Sequence, residues 1–152
     1  MGGHDDNVCL RSVECYHPAN DQWTQILDMN NARKFSAAAA ITNGKIIVVG
    51  GYSDMGFTRI EETCEIFDKS LNQWSLVSSP TVPRAACGIV SVKSAVYLFG
   101  GEDTNNSAYK LDSVECYIVQ EDKWIHVSTM PESLSCLQAS LIQFPVKHMT
   151  GD

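Results

Sequence analysis

The amino-acid sequence predicts an all-β fold built from one repeated antiparallel unit, and three observations support this prediction. Tryptophan recurs at intervals of 51 and 50 residues, at Trp23, Trp74 and Trp124. A pair of glycines recurs with a similar period of about 50 residues, at 2–3, 50–51 and 100–101. Short apolar segments alternate with turn-forming residues, and no segment follows the period of a helix. A fixed period of about 50 residues is typical of repeat proteins.

Each period divides into four short strands joined by turns. In the middle period, residues 35–42 (FSAAAAIT) predict the first strand, and Asn43-Gly44 predicts a hairpin because both turn residues need positive φ. The segments KIIVVGG, TCEIFD and WSLVSS predict the second, third and fourth strands. The next period repeats this order in AACGIVSV, AVYLFGG, SVECYI and WIHVST. Four antiparallel strands per period match the blade of a β-propeller.

Five kinds of marker residue recur in phase. Each period has a glutamate nine residues before the tryptophan, an aromatic residue seven before it, a glycine pair, and an arginine that opens the following blade. The markers are Gly2, Gly3, Gly50, Gly51, Gly100, Gly101, Glu14, Glu65, Glu115, Tyr16, Phe67, Tyr117, Trp23, Trp74, Trp124, Arg33 and Arg84. Leu134 interrupts the arginine series.

The glycine pairs are expected to serve packing. We expect them to let an aromatic side chain of a neighbouring strand lie against the backbone where inner strands crowd. A phosphate-binding loop would instead place its glycines before a helix. No helical pattern follows these pairs.

Composition and charge limit the classes of function. The 152 residues are 44% hydrophobic, which suits one globular unit, and their formal net charge is −7. Nucleic acids and anionic membranes attract concentrated positive charge, and no basic cluster exceeds Arg33-Lys34, so neither is expected as a partner. No apolar run approaches the roughly 20 residues of a membrane span, and no leader pattern is present. We therefore expect an intracellular, cytoplasmic protein.

Metal, disulfide and catalytic chemistry are not expected. The six cysteines lack CxxC spacing, and facing sheets lie too far apart for disulfides, so reduced buried thiols are predicted, with Cys9 the one reactive candidate. No histidine has a second ligand nearby in sequence, and no cofactor is expected. The repeated glutamates lie in separate blades, and we expect them to accept hydrogen bonds from backbone or from Arg33 and Arg84.

The combination of Gly-Gly, Val-Glu-x-Tyr and a tryptophan seven residues after the aromatic resembles the kelch repeat. The pattern GG, SVECY, KW is similar to that of kelch-like adaptor proteins, in which a BTB domain precedes a six-bladed kelch propeller. The resemblance covers residues 1 to about 144 and implies two complete four-stranded blades plus two partial ones. The expected boundaries are a partial blade with third and fourth strands over 1–31, complete blades over 32–82 and 83–131, a further first strand over 132–145, and a tail over 146–152.

Three blades' worth of chain cannot close a ring, because closed propellers use four to eight blades. The chain is then either a portion of a longer protein or one of several copies that combine. Open ends expose strand edges and apolar blade faces, so self-association through these edges is an expected possibility. A hybrid blade made from 134–144 of one copy and 2–31 of another would lack its second strand, which favours the first explanation.

The resemblance also implies a partner-binding surface made by two positions in each blade. The residue after the glycine pair gives His4, Tyr52 and Glu102, and the residue after the blade-opening position gives Lys34, Ala85 and Ser135. Asp54 and Asp103 add acidic charge nearby, which favours a basic or neutral peptide. The alternative for each position is an ordinary solvated loop residue.

The expected function is that of a protein-protein interaction module rather than an enzyme. By the resemblance it would bind a protein substrate for a cullin-RING ubiquitin ligase. An actin-binding kelch protein with a cytoskeletal location is the first alternative. A propeller enzyme of the galactose-oxidase or sugar-isomerising type is the second, and it would need clustered metal ligands or a polar axial pocket that the sequence does not show.

Overall fold

The computed structural model describes residues 1–105 and 109–142. Its secondary structure consists of strands and one 3₁₀ turn at Thr42–Gly44 in the described residues. The strands are β1 (Val13–His17), β2 (Gln22–Ile26), β3 (Ala37–Ala40), β4 (Ile46–Val49), β5 (Cys64–Asp68), β6 (Gln73–Val77), β7 (Gly88–Val92), β8 (Ala95–Phe99), β9 (Ser113–Ile118) and β10 (Lys123–Thr129). The all-β prediction is confirmed.

The strands form three antiparallel sheets that correspond to propeller blades. Strands β1 and β2 make a two-stranded partial blade, β3 to β6 the middle blade, and β7 to β10 the last blade. In each complete blade neighbouring strands in the sequence are neighbours in the sheet. The first strands, β3 and β7, contact each other and are therefore the innermost strands of a radial arrangement. The structure is a partial β-propeller with two complete four-stranded blades.

The predicted Asn43-Gly44 hairpin is present, and the marker residues recur at equivalent places in the blades. Asn43 and Gly44 both have positive φ, 62° and 69°, as the hairpin required. Each tryptophan stands opposite the marker aromatic of the preceding strand, with 5.1 Å between ring centroids in all three blades. The pairs are Tyr16–Trp23, Phe67–Trp74 and Tyr117–Trp124. The three tryptophans therefore occupy equivalent sites within their blades.

The hydrophobic core lies between the blades. One cluster joins β4 residues Ile47 and Val49 to the last blade, where Val96 and Leu98 are fully buried. A second cluster joins Val48 to the partial blade. Successive side chains of a strand point to opposite faces, so the residues of β4 contribute to both clusters. A strand buried on both sides needs apolar residues at every position, as β4 has.

The glycine pairs make room for the main chain of the neighbouring blade. The prediction that they make room for an aromatic side chain was wrong. A Cβ atom on Gly50 would collide with the carbonyl oxygen of Arg84, which opens the next blade. Gly2 and Gly100 stand in the same relation to the carbonyls at 33 and 134. Gly50 also has a φ of 59°, in the left-handed region that favours glycine. The pair lets adjacent blades approach through their main chains.

The predicted first strand of a further blade pairs with no other strand over 131–142. Leu137 and Ala139 lie against Gly88 of β7, and the Cys136 N–H donates to the Ala86 carbonyl at 2.8 Å. The segment thus follows the course of a next innermost strand. It forms no ladder because no second strand lies beside it among the described residues. The rest of the predicted strand, 143–145, and the tail, 146–152, lie outside the described residues.

The six cysteines are free thiols. Burial raises the pKa of the Cys64 and Cys87 thiols to about 12, so both are protonated at neutral pH. Cys136 is exposed and Cys15 is only partly buried, which corrects the expectation of buried thiols at these two positions, because the described residues place no further blade beside either one. The described residues contain no cluster of side chains suited to a metal ion. None of their helices is long and apolar enough to cross a membrane.

Candidate partner-binding rim

A buried arginine and glutamate fix the start of each complete blade to its third strand. The Arg33 guanidinium donates to Glu65 at 2.6 Å and to the Gly50 carbonyl at 3.0 Å. The equivalent bonds in the last blade run from Arg84 to Glu115 and to the Gly100 carbonyl. Both ion pairs are inaccessible to solvent. The predicted role of the repeated glutamates in accepting arginine hydrogen bonds is confirmed for Glu65 and Glu115.

The same glutamates also bind the preceding blade. Glu65 accepts the backbone N–H groups of Asn30 and Asn31, and Glu115 accepts that of Thr81. Glu14 is exposed, and the described residues provide no equivalent partner for it. Each buried carboxylate therefore joins two blades, and its lone pairs are committed to the fold.

The tryptophans add a second link between blades. The Trp74 indole N–H donates to the Leu27 carbonyl at 2.9 Å, and that of Trp124 donates to the Ser78 carbonyl at 2.8 Å. Trp23 keeps its aromatic partner but is 66% exposed, because no described blade precedes it. These links place the blades, and hence their loops, at fixed positions.

Beyond each glycine pair the sheet continues for one residue per strand and forms what we call the rim. In the middle blade Tyr52 pairs with Lys34 on one side and with Ile60 on the other. In the last blade Glu102 pairs in the same way with Ala85 and Lys110, and in the partial blade His4 pairs with Cys9. The structure therefore brings the two predicted classes of position together as neighbours within each complete blade.

The predicted rim residues differ in burial. Tyr52, Lys34, Ala85 and Asp103 are buried. Glu102, Ser135 and Asp54 are partly exposed, and His4 is exposed. Asp54 accepts the backbone N–H groups of Thr58 and Arg59, and Asp103 accepts that of Asn105. The two aspartates brace their own loops, and only part of the predicted set is on the outer surface.

An aromatic cluster joins the rims of the two complete blades. It contains Phe35, Tyr52, Phe57 and Tyr109. Phe57 lies 5.7 Å from Phe35 and 5.2 Å from Tyr52 between ring centroids, and the Tyr52 and Tyr109 hydroxyls are 3.1 Å apart. Tyr52 is buried at the centre, while Phe35, Phe57 and Tyr109 are 49%, 43% and 41% exposed. The Lys34 ammonium lies 3.5 Å from the Phe57 centroid, a cation–π contact.

Glu102 is the ionised group of this cluster. Its carboxylate accepts the Tyr52 hydroxyl at 2.7 Å and the Tyr109 hydroxyl at 3.0 Å. Burial alone would raise the pKa of Glu102, but these hydrogen bonds outweigh it and hold the pKa below its usual range. Burial and then the bond to Glu102 raise the pKa of Tyr52. At neutral pH the cluster therefore holds the Glu102 carboxylate and the neutral phenol of Tyr52.

Sequence reasoning missed the three exposed aromatic residues. The residue after Arg33 is buried, and the exposed side chain is the next one, Phe35, because the chain turns there with a φ of 53°. Ala86 and Cys136 have the same conformation at the equivalent positions. Phe57 and Tyr109 come from loops of different length. The available signal was an aromatic residue two positions after a blade-opening arginine.

A polar groove of about 420 Å³ lies beside the cluster, between the loops of the two complete blades. A hydrogen bond from the Thr104 hydroxyl to the Thr58 carbonyl, at 3.5 Å, crosses it. Its lining residues include Arg59, Glu61, Glu62 and Asn105. The rim thus combines exposed rings with a groove that offers both donors and acceptors.

Radial four-stranded sheets with loops gathered on a common rim define a portion of a β-propeller. A family model described as the kelch motif matches residues 1–30, 33–81 and 83–131. The chain belongs to the kelch-repeat family, and kelch repeats indicate a protein-interaction propeller.

The curated relatives are longer kelch proteins. Kelch-like protein 26 of Danio rerio is 31% identical over 130 residues, covering 85% of this chain and 21% of that protein. Kelch-like protein 35 of Mus musculus is 30% identical over 90% of this chain and 22% of its own length. Beta-scruin of Limulus polyphemus is 28% identical over 85% of this chain and 14% of its own length. The chain spans about a fifth of the kelch-like relatives it matches.

Among solved structures, that of YjhT superposes with a TM-score of 0.74. The match covers 89% of this chain and 50% of YjhT at 18% identity, which supports the fold alone.

Proposed function

We propose that this chain is the partner-binding portion of a kelch propeller and that the rim is its recognition surface. The observation that carries the proposal is the exposed aromatic cluster on a braced rim. Large rings exposed together and bordered by polar groups are typical of protein-binding sites. The rings are also held by their neighbours, which lowers the entropy lost on binding.

We further propose that the bound protein is a substrate of a cullin-RING ubiquitin ligase and that the chain acts within its adaptor, in the cytoplasm. The similarity to kelch-like proteins along 85% to 90% of the chain supports this assignment. No catalytic role is proposed. The buried carboxylates Glu65 and Glu115 are held in ion pairs, and an acid or base committed in this way is not free to exchange protons with a substrate.

The proposal is tested by affinity capture with the wild-type chain and with the Phe57→Ala variant. Phe57 contributes ring surface and no blade-to-blade hydrogen bond, so the variant should fold and lose the specific partners. Leu71→Ala is the matched control, because Leu71 is 69% exposed and belongs to the Asp68–Gln73 turn at the opposite end of the blade. Partners retained by the Phe57 variant and lost by the Leu71 variant would contradict the proposal.

An F-actin co-sedimentation assay separates the adaptor from the cytoskeletal alternative. The adaptor proposal predicts that the chain stays in the supernatant at actin concentrations that saturate known binders. Sedimentation with actin that the Phe57→Ala variant abolishes would support the cytoskeletal function instead.

A further inference from the structure

The rim carboxylate differs from the buried carboxylates in how its charge is balanced. Glu65 and Glu115 each face an arginine, whereas Glu102 is held by two phenols. Within residues 1–105 and 109–142, no lysine or arginine nitrogen lies within 4.0 Å of the Glu102 carboxylate. Its hydrogen bonds fix the position of the charge without neutralising it.

The Glu102 carboxylate also retains hydrogen-bonding capacity. An ionised carboxylate has about four acceptor positions. Tyr52 and Tyr109 account for two donors, and both bind the same oxygen. Glu102 is only partly buried, so an incoming donor can reach the remaining positions.

The three exposed rings of the aromatic cluster occupy backbone conformations that do not favour them. Phe35, Phe57 and Tyr109 all have positive φ, between 53° and 60°. The fold requires this conformation at position 35, since Ala86 and Cys136 adopt it too, but it does not require a phenylalanine there. Bulky residues in this region are uncommon and occur often at ligand sites. Neither burial in the fold nor the preferred backbone conformation of aromatic residues explains why aromatic residues occupy these three positions.

We propose that the rim binds an arginine side chain of the protein partner. The guanidinium donates to Glu102 and stacks on the exposed ring of Tyr109, and Phe57 and Phe35 form the apolar border of the site. This inference rests on the proposed function of the rim. An arginine suits both halves of the site, because its guanidinium is planar, weakly hydrated and able to stack while it donates hydrogen bonds.

The other charges near the cluster are consistent with this ligand. Lys34 is buried and committed to the Met55 carbonyl and the Phe57 ring. Lys110, the strand neighbour of Glu102, attracts its carboxylate and helps to lower its pKa, but Lys110 and Arg59 are exposed and solvent screens both. A ligand carboxylate would face the fixed charge of Glu102, whereas a guanidinium is attracted to it. The chain as a whole carries a net charge of −7, which also favours cationic segments.

The probe is a displayed library of random peptides selected on the immobilised full chain, followed by affinity measurements on the selected peptides. We expect the selected peptides to share one arginine. Replacing that arginine by citrulline, which keeps the shape and removes the charge, should weaken binding about 30-fold or more. Lysine in its place should weaken binding by about tenfold, because it cannot stack as a plane.

Two protein variants test which residues of the rim bind the arginine of the selected peptide. Glu102→Gln should reduce affinity for the selected peptide by about 30-fold and abolish the preference for arginine over citrulline. Phe35→Ala introduces the residue found at the equivalent position 86, so the variant should fold, and it should weaken binding severalfold because it removes an exposed ring that packs on Phe57. The citrulline comparison leaves the protein unchanged and so remains decisive even if a variant folds poorly.

The outcomes separate this inference from the proposed function. Peptides that share no arginine but lose affinity with Phe57→Ala would overturn the arginine assignment and leave the partner-binding rim standing. Peptides whose affinity is unchanged by Phe57→Ala and by Glu102→Gln would overturn the arginine assignment and the proposed function of the rim. A failure to select any binding peptide would also overturn the two proposals.

Discussion

Two carboxylates of the last blade, Glu115 and Glu102, show how the interior of the blades differs from the rim. Glu115 is 1% exposed, paired with Arg84 and bonded to the preceding blade. Glu102 is partly exposed and held by Tyr52 and Tyr109. Burying a charge without a counter-charge is costly, so the interior pairs its charges. At the rim, solvent access permits a fixed charge that a ligand can use.

The interior and the rim also differ in how far their residues and contacts are repeated from blade to blade. The interior contacts of Arg33 recur with Arg84, and the indole hydrogen bond of one complete blade recurs in the other. The rim position after the glycine pair holds a histidine, a tyrosine and a glutamate in successive blades. Contacts needed for folding are therefore repeated, and variation is concentrated where recognition is proposed.

The largest effect expected in the interior comes from Gly50→Ala. The added Cβ collides with the Arg84 carbonyl of the next blade, and alanine is also disfavoured at a φ of 59°. Together these should lower the free energy of unfolding by about 3 kcal/mol or more. Gly44→Ala is the control, because Gly44 has a similar φ with no atom nearby and should cost only about 1 kcal/mol. Equal losses in urea denaturation would show that the close approach of the blades does not matter.

The next effect concerns the links between blades. Trp124→Phe removes the indole bond to Ser78 and leaves a gap, and it should lower the free energy of unfolding by about 1 to 2 kcal/mol. Trp23→Phe should change it by less than about 0.5 kcal/mol, because Trp23 is exposed. Both values come from thermal or urea unfolding. A Trp23 effect as large as that of Trp124 would mean that Trp23 is covered in solution, as the expected self-association would require.

The interior was more predictable from sequence than the rim, and the reason is physical. Strand order, the Asn43-Gly44 turn and the Arg33–Glu65 pair depend on local patterns that recur in phase, so the sequence contains them directly. Phe57 and Tyr109 lie on two loops of unequal length, and their contacts with Tyr52 depend on how those loops fold, which no local sequence pattern specifies. The role of Gly50 was misassigned because a main-chain carbonyl, which has no sequence signature, fills the space beside it.

The smallest effect expected is in pH dependence. The pKa of Glu102 is lower in the folded protein than in the unfolded chain. Its contribution to stability is therefore complete above the unfolded pKa of about 4.3 and is lost as pH falls through the folded value. Because Glu102 is partly exposed, we expect this to amount to less than about 1 kcal/mol. The wild-type melting temperature should fall more steeply below pH 4 than that of Glu102→Gln, and parallel curves would contradict this assignment.

The most direct test of the distinction between interior and rim is a matched pair of substitutions, Glu115→Gln and Glu102→Gln, measured by urea denaturation. Glu115→Gln leaves Arg84 as a buried unpaired charge and should lower the free energy of unfolding by about 3 kcal/mol or more. Glu102→Gln keeps an oxygen that can accept the phenol hydroxyls and should change it by less than about 1 kcal/mol. Similar losses for the two variants would contradict the account, because the rim carboxylate would then serve the fold as the interior one does.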